Sequence, residues 1–374
     1  MPVTRPSAVS HKILRWFDAH ARDLPWRNPP GAPLPASDPD WPYRVWLSEI
    51  MLQQTTVAAV TPYFEAFVAR WPNVGALAAA EDAAVMRAWA GLGYYARARN
   101  LLACARGVVR DFGGRFPEDE AALRTLPGIG GYTAAAIAAF AFGKRAVVID
   151  GNIERVTARL FAIATPLPAA RAEIAAQMGA MTPETRAGDF AQGLMDLARA
   201  VCTPRAPKCL ICPVAEDCAG KGDPEAYPVK PRKTAKPERY GTAWWVEEDG
   251  RVFLARRPAK GLLGGMLALP GSEWAPKPLP LRGGVGVGVS SHSTIDGTKP
   301  HLPTPVPSPE GEGGVRITHV FTHFRLTLVV VPKEKSCVAQ LAGEWWPIER
   351  LGVAGLPSLY KKAADAMLDK GGTP

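Results

Sequence analysis

The chain has 374 residues, a hydrophobic fraction of 47%, a charged fraction of 21% and a formal net charge of +9. This length predicts two or three domains, and the composition is that of a globular protein with enough apolar residues for real cores. The longest apolar run, AAAIAAFAF, is far below the roughly 20 residues of a membrane span, and the N-terminus lacks a signal-peptide core. We therefore expect a cytoplasmic protein with no membrane partner, whose basic charge suits a polyanion.

Residues 8–220 are predicted to form a mainly helical first domain. Ala, Leu, Arg and Glu dominate up to about position 200, and apolar residues recur three and four positions apart between breaks at Gly or Pro. The proline-rich stretch 29–42 is predicted to be a loop. Residues 221–240 are rich in Pro, Lys and Arg, which is typical of an exposed linker.

The segment LPGIGGYT, residues 126–133, precedes an alanine-rich helix. Pro127 and the glycines, among them Gly128 and Gly130, break the preceding helix and permit a tight turn. The first amides of the next helix lack intrahelical partners and carry the positive end of the helix dipole. Such a turn can bind a phosphate without side-chain charge and lets a DNA backbone approach closely. A plain connection between two helices is the alternative for such a turn standing alone.

Four of the six cysteines crowd together near the end of this domain. They are Cys202, Cys209, Cys212 and Cys218. Their spacing, C-x6-C-x2-C-x5-C, lets four thiolates surround one metal centre with little rearrangement of the chain. Zinc and a [4Fe–4S] cluster both accept four cysteines, and the spacing does not choose between them.

Residues 241–365 are predicted to form a second, α+β domain. An Asp249–Gly250 pair lies inside the first β-type run and predicts a hairpin turn. A helix is expected at about 358–368. The β-type runs lie at about 242–257, 315–331 and 343–351.

A biased segment interrupts the second domain. Residues 275–314 hold eight prolines and eight glycines. Such a composition cannot bury enough apolar surface to offset the entropy lost on ordering. We therefore expect a disordered insertion between strands.

Several motifs together resemble one enzyme family. LPGIGGYTAAAI, VVIDGN and the cysteine spacing resemble the helix-hairpin-helix DNA glycosylases of the endonuclease III superfamily, and LPWR, VWLSEIMLQQTTV and GLGYYARARNL narrow this to its adenine DNA glycosylase (MutY) branch. The resemblance covers about residues 11–270 and 315–360. It implies a helix-hairpin-helix fold of two helical subdomains, a [4Fe–4S] cluster loop at 202–218, and a Nudix-like C-terminal domain.

The same resemblance implies a reaction in base excision repair. The enzyme would excise adenine mispaired with 8-oxoguanine, and more weakly with guanine, from double-stranded DNA. It would do so by base flipping and acid-assisted hydrolysis of the N-glycosidic bond, as a monomer, and would leave an abasic site.

Breaking an N-glycosidic bond requires a proton for the leaving base and an anion near the developing charge on the sugar. Glu49 would share a helical stripe with Val45 and Leu52, where partial burial raises a carboxyl pKa as a general acid needs. The resemblance assigns protonation of adenine N7 to Glu49, and stabilisation of the oxocarbenium ion, by charge or a transient bond, to Asp150. Alone, these residues would be taken for a surface glutamate and a helix N-cap. Asn152 either orients a carboxylate or water, or caps that helix.

Position 132 separates the branches of the superfamily. Relatives that also cleave the strand have a lysine there, whose amine forms a Schiff base with the sugar. Tyr132 cannot form an imine, so the resemblance implies a monofunctional enzyme in which the phenol forms a hydrogen bond in the pocket. A half-buried aromatic residue is the alternative for Tyr132.

The target base must leave the stack before reaction, and the resemblance assigns residues to this step. The wedge residues and their neighbours would be Gln54, Tyr94, Thr55 and Leu92. The adenine pocket would be lined by Trp26, Arg27 and Gln192.

The second domain carries a motif of its own. HVFTHFRL resembles a Phe-Ser-His loop that senses 8-oxoguanine, here filled by Phe321, Thr322 and His323. These could also be ordinary strand residues. No glutamate-rich Nudix helix follows the first strands, so nucleotide pyrophosphate hydrolysis is not expected.

Two other functions fit parts of the sequence. A bifunctional pyrimidine-lesion glycosylase/lyase is disfavoured by Tyr132 and by SEIMLQQT. A non-catalytic DNA-binding module would use the hairpin and the cysteine loop as anchors, and the pair of Glu49 and Asp150 argues against it.

Overall fold

The structure, a computed structural model, describes residues 6–231, 235–258, 262–276, 314–321 and 323–371. Most of the predicted insertion at 275–314 and the candidate lesion-sensing residue Thr322 therefore lie outside the described residues. The chain divides into two compact units, Met1–Lys233 and Thr234–Pro374. Within the described ranges, no helix is long and apolar enough to cross a membrane.

The first unit is built from eleven described helices. Asp119 and Asp150 accept backbone amides at the N-termini of two of them, and Gly113 and Gly143 end two others in the left-handed conformation. These local signals explain why the helical pattern was visible in the sequence. The helices are α1 (Pro6–His20), α2 (Trp41–Met51), α3 (Val57–Arg70), α4 (Val74–Ala78), α5 (Asp82–Ala88), α6 (Ala96–Phe112), α7 (Glu120–Leu123), α8 (Gly131–Phe142), α9 (Gly151–Leu160), α10 (Arg171–Met181) and α11 (Ala187–Ala200).

These helices form the two expected groups. Helices α2 to α8 contact mainly one another, whereas α1 packs with α10 and α11, and α9 packs with the same two. Helix α11 also contacts α8 and so joins the groups. Small residues let α8 and α11 approach each other closely. A Cβ on Gly188 of α11 would lie 2.7 Å from the carbonyl oxygen of Ala139 in α8. The seam between the groups is where a cavity opens.

The second unit contains two sheets and a C-terminal helix. One sheet has the order β1-β6-β5, with β1 parallel to β6, and the other joins β2, β4 and β7 to β3 in antiparallel pairs. The elements are β1 (Glu238–Trp245), β2 (Glu247–Glu248), β3 (Arg251–Arg256), β4 (Leu267–Ala268), β5 (Val315–Val320), β6 (Arg325–Pro332), β7 (Gly343–Pro347) and α12 (Ser358–Gly371). Asp249 and Gly250 connect β2 to β3 with φ of 49° and 68°, which confirms the predicted hairpin.

Part of the segment predicted as a linker is attached to the first unit. The Val229 carbonyl accepts a hydrogen bond from the Leu167 amide at 2.9 Å, and the Tyr227 carbonyl accepts one from Arg159 at 3.2 Å. The composition of 221–240 could not indicate this attachment, because the groups that make it are backbone carbonyls, which every residue has.

Candidate active site

A cavity of about 750 Å³ lies at the seam between the two groups of helices. Side chains from α2, α8, α9 and α11 line it, together with the loops before α2 and after it. Its apolar wall includes Trp26, Val45, Leu52 and Phe140. Its polar groups include Glu49, Asp150, Asn152 and Gln192. A mostly apolar cavity of this size with a few converging polar groups is typical of a small-ligand site.

Glu49 and Tyr132 form the buried polar pair of this cavity. Glu49 is 8% exposed, and the Tyr132 hydroxyl donates a hydrogen bond to its Oε2 atom at 2.8 Å. Burial raises the pKa of Glu49 to about 7; the Tyr132 hydrogen bond opposes this rise, the charge of Asp150 adds to it, and that of Arg27 opposes it. Burial also raises the pKa of Tyr132 well above its ordinary value, so the phenol keeps its proton. Near neutral pH the Glu49 carboxyl therefore exists in both protonation states.

Asp150 is the N-cap of α9 and faces the same cavity. Its Oδ1 atom accepts the amides of Asn152 at 2.9 Å and Ile153 at 2.7 Å, and its Oδ2 atom accepts the Asn152 side-chain amide at 2.9 Å. Capping and a position in the pocket are therefore compatible. The Arg155 guanidinium donates to the Asn152 side-chain oxygen at 3.3 Å and to the Cys202 carbonyl at 3.0 Å, which connects this end of α9 to the cysteine loop.

A buried ion pair supports the cavity wall, and the sequence analysis missed its acidic member. Asp196 on α11 accepts hydrogen bonds from Arg27 at 2.6 Å and from Arg22 at 2.6 Å. Burial alone would raise the pKa of Asp196, but the two arginines outweigh it and lower the pKa. The sequence signal for this buried carboxylate was an aspartate inside the mostly apolar stretch GLMDLARA, residues 193–200.

Trp26 and Gln192, the candidate adenine-pocket residues, both line the wall of this cavity. Trp26 is buried and packs edge-on against Phe64, with ring centroids 5.0 Å apart. Gln192 is 9% exposed, and its side-chain oxygen has no hydrogen-bond partner among the described residues. A buried acceptor without a donor is costly, and a ligand that supplies a donor would remove this cost.

The candidate wedge residues divide into exposed and buried. Gln54 is exposed and Tyr94 is 60% exposed, whereas Thr55 is half-buried beside them. The Leu92 side chain is 6% exposed and belongs to the apolar core, so a DNA contact by Leu92 would use its backbone. The apolar side chain of Leu92 is the sequence signal for this burial.

Two glycines of the hairpin between α7 and α8, Gly128 and Gly130, have different structural roles. Gly128 has φ of 78°, and a Cβ there would lie 2.8 Å from the Cβ of Asn100. Gly130 is the N-cap of α8 without any side-chain cap, and a Cβ there would meet nothing within 4 Å. Gly128 therefore shapes the turn, while the open space at Gly130 leaves the first amides of α8 accessible.

In the second unit the candidate lesion-sensing loop joins β5 to β6. Phe321 is half-buried and stacks on Trp274 with ring centroids 5.5 Å apart, and its backbone amide donates to the Phe324 carbonyl at 2.9 Å. His323 is exposed. Thr322, between them, lies outside the described residues. The described residues of this loop therefore present one aromatic ring that stacks on another and one exposed imidazole.

The four cysteines surround a shared small cavity in the loop after α11. The residues that line it are Arg159, Val201, Cys202, Pro207, Cys209, Cys212, Ala215, Cys218, Lys221 and Pro224. No group of three or more described His, Cys, Asp or Glu side chains is close enough to hold a single metal ion. Four thiols around a common cavity, spread more widely than one ion requires, suit a cluster of several iron atoms better than one zinc.

A buried arginine completes this loop. Arg159 is 2% exposed, and its guanidinium donates to the Cys202 sulfur at 3.3 Å and to the Thr203 carbonyl at 2.7 Å. Burial raises the pKa of the Cys212 thiol to about 11, so this thiol favours its protonated form until a cationic centre is bound. The residues present therefore fit a [4Fe–4S] cluster held by Cys202, Cys209, Cys212 and Cys218. When bound, the cluster would hold the loop in one conformation.

Family models match both units and the cysteine loop of the first unit. Residues 47–180 match the HhH-GPD superfamily base excision DNA repair protein model, residues 202–218 match the iron-sulfur binding domain of endonuclease III, and residues 241–366 match the NUDIX domain. These matches confirm the predicted fold class and the iron-sulfur assignment of the four cysteines, which the spacing alone left open.

Curated relatives and a solved structure agree with these models. An adenine DNA glycosylase of Rattus norvegicus is 32% identical over 87% of this chain and 70% of its own length. One of Mycolicibacterium smegmatis is 40% identical over 54% of this chain and 67% of its own length. The structure of a thermostable thymine-DNA glycosylase is 29% identical with a TM-score of 0.52, over 58% of this chain and 97% of that one. The chain therefore belongs to the adenine DNA glycosylase family of base excision repair glycosylases.

Proposed function

We propose that this protein excises adenine mispaired with 8-oxoguanine, or more weakly with guanine, from double-stranded DNA and leaves an abasic site. One observation carries the proposal: Glu49, Tyr132 and Asp150 meet in a single cavity, although 83 residues separate Glu49 from Tyr132. The cavity holds a carboxyl group that can donate a proton near neutral pH and a second carboxylate that can stabilise positive charge.

Glu49 is the general acid in this mechanism. Its pKa of about 7 lets the carboxyl group carry and donate a proton near neutral pH, as an effective general acid requires. The protonated carboxyl donates to N7 of the extruded adenine, and the N-glycosidic bond weakens as the base accepts the proton. Tyr132 keeps the Glu49 carboxyl oriented through its 2.8 Å hydrogen bond.

Asp150 stabilises the sugar as the bond breaks. Its three hydrogen bonds from Asn152 and Ile153 fix the carboxylate, and its place at the N-terminus of α9 favours the negative charge. Because this anion is already held in place, it can stabilise the developing oxocarbenium ion without rearrangement, which is electrostatic preorganisation. A water then adds to the sugar carbon, gives its proton to the Glu49 carboxylate that has protonated the base, and so yields the abasic site. Because Tyr132 occupies the position of the lyase lysine, the DNA strand stays intact.

The lining of the cavity supports adenine as the base. The unpartnered oxygen of Gln192 can accept a hydrogen bond from the exocyclic amine of adenine. A guanine would present a carbonyl oxygen where adenine presents the amine. Buried Trp26 offers an aromatic surface to the extruded base.

Contacts to DNA are proposed for three surfaces. The amides beside Gly130 can bind a backbone phosphate, and exposed Gln54 and Tyr94 can fill the gap left by the flipped base. In the second unit, Phe321 and His323 are proposed to contact 8-oxoguanine together with Thr322. The net charge of +9 favours association with DNA in general.

The test is single-turnover adenine release from a duplex that contains adenine opposite 8-oxoguanine, analysed with and without alkali. The informative variant is Asp150→Asn, because asparagine remains a good N-cap and so keeps the start of α9 while removing the charge. Asp119→Asn is the matched control, because Asp119 caps α7 in the same way, accepting the Ala122 amide at 3.0 Å, outside the cavity.

For wild type and Asp119→Asn, we expect the DNA strand to break only after alkali treatment. For Asp150→Asn, we expect no strand breakage. Breakage without alkali would replace the proposal with a bifunctional glycosylase/lyase. Tight binding of the duplex without release of any base would instead identify a binding module.

A further inference from the structure

Arg97, in the first turn of α6, connects two loops that are separate in sequence. Its guanidinium donates five hydrogen bonds, four to backbone carbonyls and one to a hydroxyl. The acceptors are the carbonyls of Ile50 at 2.9 Å, Met51 at 3.0 Å, Leu92 at 2.9 Å and Gly93 at 3.2 Å, and the hydroxyl of Thr55 at 3.3 Å. One nitrogen, Nη1, bonds only to the end of α2, and the other, Nη2, bonds to both loops.

Each of these loops carries one exposed residue other than glycine in the left-handed backbone conformation. Gln54 has φ of 57° and Tyr94 has φ of 49°. Left-handed conformations are unfavourable for residues with a Cβ, and they persist where surrounding contacts hold the backbone. Arg97 donates hydrogen bonds to Met51 and Thr55, which lie on either side of Gln54 in the sequence. It also donates one to Gly93, the residue before Tyr94. The same side chain therefore holds both conformations.

Two aromatic rings pack against the Arg97 guanidinium. Its Cζ atom lies 5.1 Å from the ring centroid of fully buried Trp89 and 5.7 Å from that of Tyr94. Contact with Tyr94 means that Arg97 touches the exposed ring as well as its loop. Lysine could not replace it, because a single ammonium lacks the planar fork that reaches separated acceptors.

We propose that Arg97 is the positioning residue that makes the two loops enter DNA as one wedge. It holds Gln54 and Tyr94 in fixed relation, so extrusion of the target base needs both loops in place together. Arg97 does not line the cavity that holds Glu49 and Asp150. This inference rests on the proposed function, since it assigns a role in base extrusion to the loops.

The test compares Arg97→Met and Arg97→Lys with Arg106→Met. Arg106 is a matched control on the same helix, since its guanidinium also donates to two backbone carbonyls, of Ala78 at 3.2 Å and Ala80 at 3.1 Å, away from both loops. Extrusion is followed by the fluorescence of 2-aminopurine at the target position opposite 8-oxoguanine. Adenine release is measured on the 8-oxoguanine duplex and on a duplex with adenine opposite an abasic-site analogue, where extrusion costs less.

Both Arg97 variants should lose most of the fluorescence rise. Release from the 8-oxoguanine duplex should slow about tenfold or more, because several hydrogen bonds to a charged group are lost. Release opposite the abasic analogue should slow by only a few-fold, and the pH dependence of release should stay that of wild type. Arg106→Met should match wild type in all of these measurements.

Three results would overturn the inference. The first is an unchanged fluorescence rise in the Arg97 variants. The second is an equal slowing of adenine release by these variants on both duplexes. The third is an Arg106→Met enzyme that is as defective as the Arg97 variants. If Arg97→Met fails to fold, Arg97→Lys decides by the same criteria, because it keeps the charge and most of the stem. If wild type releases no adenine at all, the proposed function fails, and the fluorescence comparison still decides the role of Arg97.

Discussion

Replacing Tyr132 by phenylalanine should move the alkaline limit of activity upward. The Tyr132 hydroxyl stabilises the charged form of Glu49 through its 2.8 Å hydrogen bond and so holds the pKa below the value that burial alone would give. A hydrogen bond to a charged group contributes about 1.5–3 kcal/mol, and one pKa unit corresponds to about 1.4 kcal/mol. Loss of the bond should therefore raise the pKa of Glu49 by about 1 to 2, the upper figure being a limit because the neutral carboxyl also loses a partner.

The sign of the change follows from the role of the acid. In the proposed mechanism Glu49 must carry its proton to act, so activity should fall as pH rises through its pKa of about 7. In Tyr132→Phe the fall should come at higher pH, even if the maximal rate is lower because the carboxyl is less well oriented. The assay is the single-turnover rate of adenine release across the neutral range, with enzyme in excess over DNA.

The control is Tyr43→Phe. Tyr43 lies on the same helix as Glu49, is 1% exposed, and donates its hydroxyl to the Trp71 carbonyl at 2.7 Å. This variant loses a comparable buried hydrogen bond without touching Glu49, so its pH profile should match wild type. An alkaline limb that stays in place or moves to lower pH in Tyr132→Phe would show that Glu49 is not the titrating acid or that the phenol does not act on it.

Two further predictions concern stability. Glu49→Gln should stabilise the protein above neutral pH and have little effect below about pH 4.5, because the folded pKa is raised from 4.5 to about 7 and the folded state therefore loses stability as pH rises between these values. The gain approaches about 3 kcal/mol at most by the free energy per pKa unit, and urea unfolding at acidic and alkaline pH measures it; equal gains at both would contradict the assignment of the pKa. Gly128→Ala should destabilise by about 1–3 kcal/mol through its left-handed backbone and the contact with Asn100, whereas Gly130→Ala should keep the melting temperature and weaken DNA binding. Equal melting temperatures for both glycine variants would contradict the different roles of the two glycines.

Features that depend on a few neighbouring residues were visible in the sequence. Asp150 beside Gly151 indicated the start of a helix, Asp249 with Gly250 indicated a hairpin, and both occur. Helical periodicity put Glu49 on the apolar side of its helix, where it is buried. Such features follow from backbone sterics, capping hydrogen bonds and side-chain periodicity, which act within one or two turns of chain.

Features that join distant segments needed the tertiary structure. Leu92 and Tyr94 are near neighbours in the sequence, yet the Leu92 side chain is buried in the core while Tyr94 is exposed. Asp196 gave only a weak signal, because its partners Arg22 and Arg27 lie far away in the sequence. The parallel pairing of β1 with β6 likewise joins segments that are far apart in the sequence.

The sequence by itself determined the helical and α+β classes, the turn at Gly128, the four thiols of the iron-sulfur loop, and the types of residue available for catalysis. Only the tertiary structure decided that Glu49 meets Tyr132 and Asp150 in one cavity and that Arg97 joins two loops. The reason is physical: helices, turns and cysteine spacing depend on local backbone geometry, whereas the pKa of about 7 at Glu49 depends on the removal of water by segments that come together only when the chain packs.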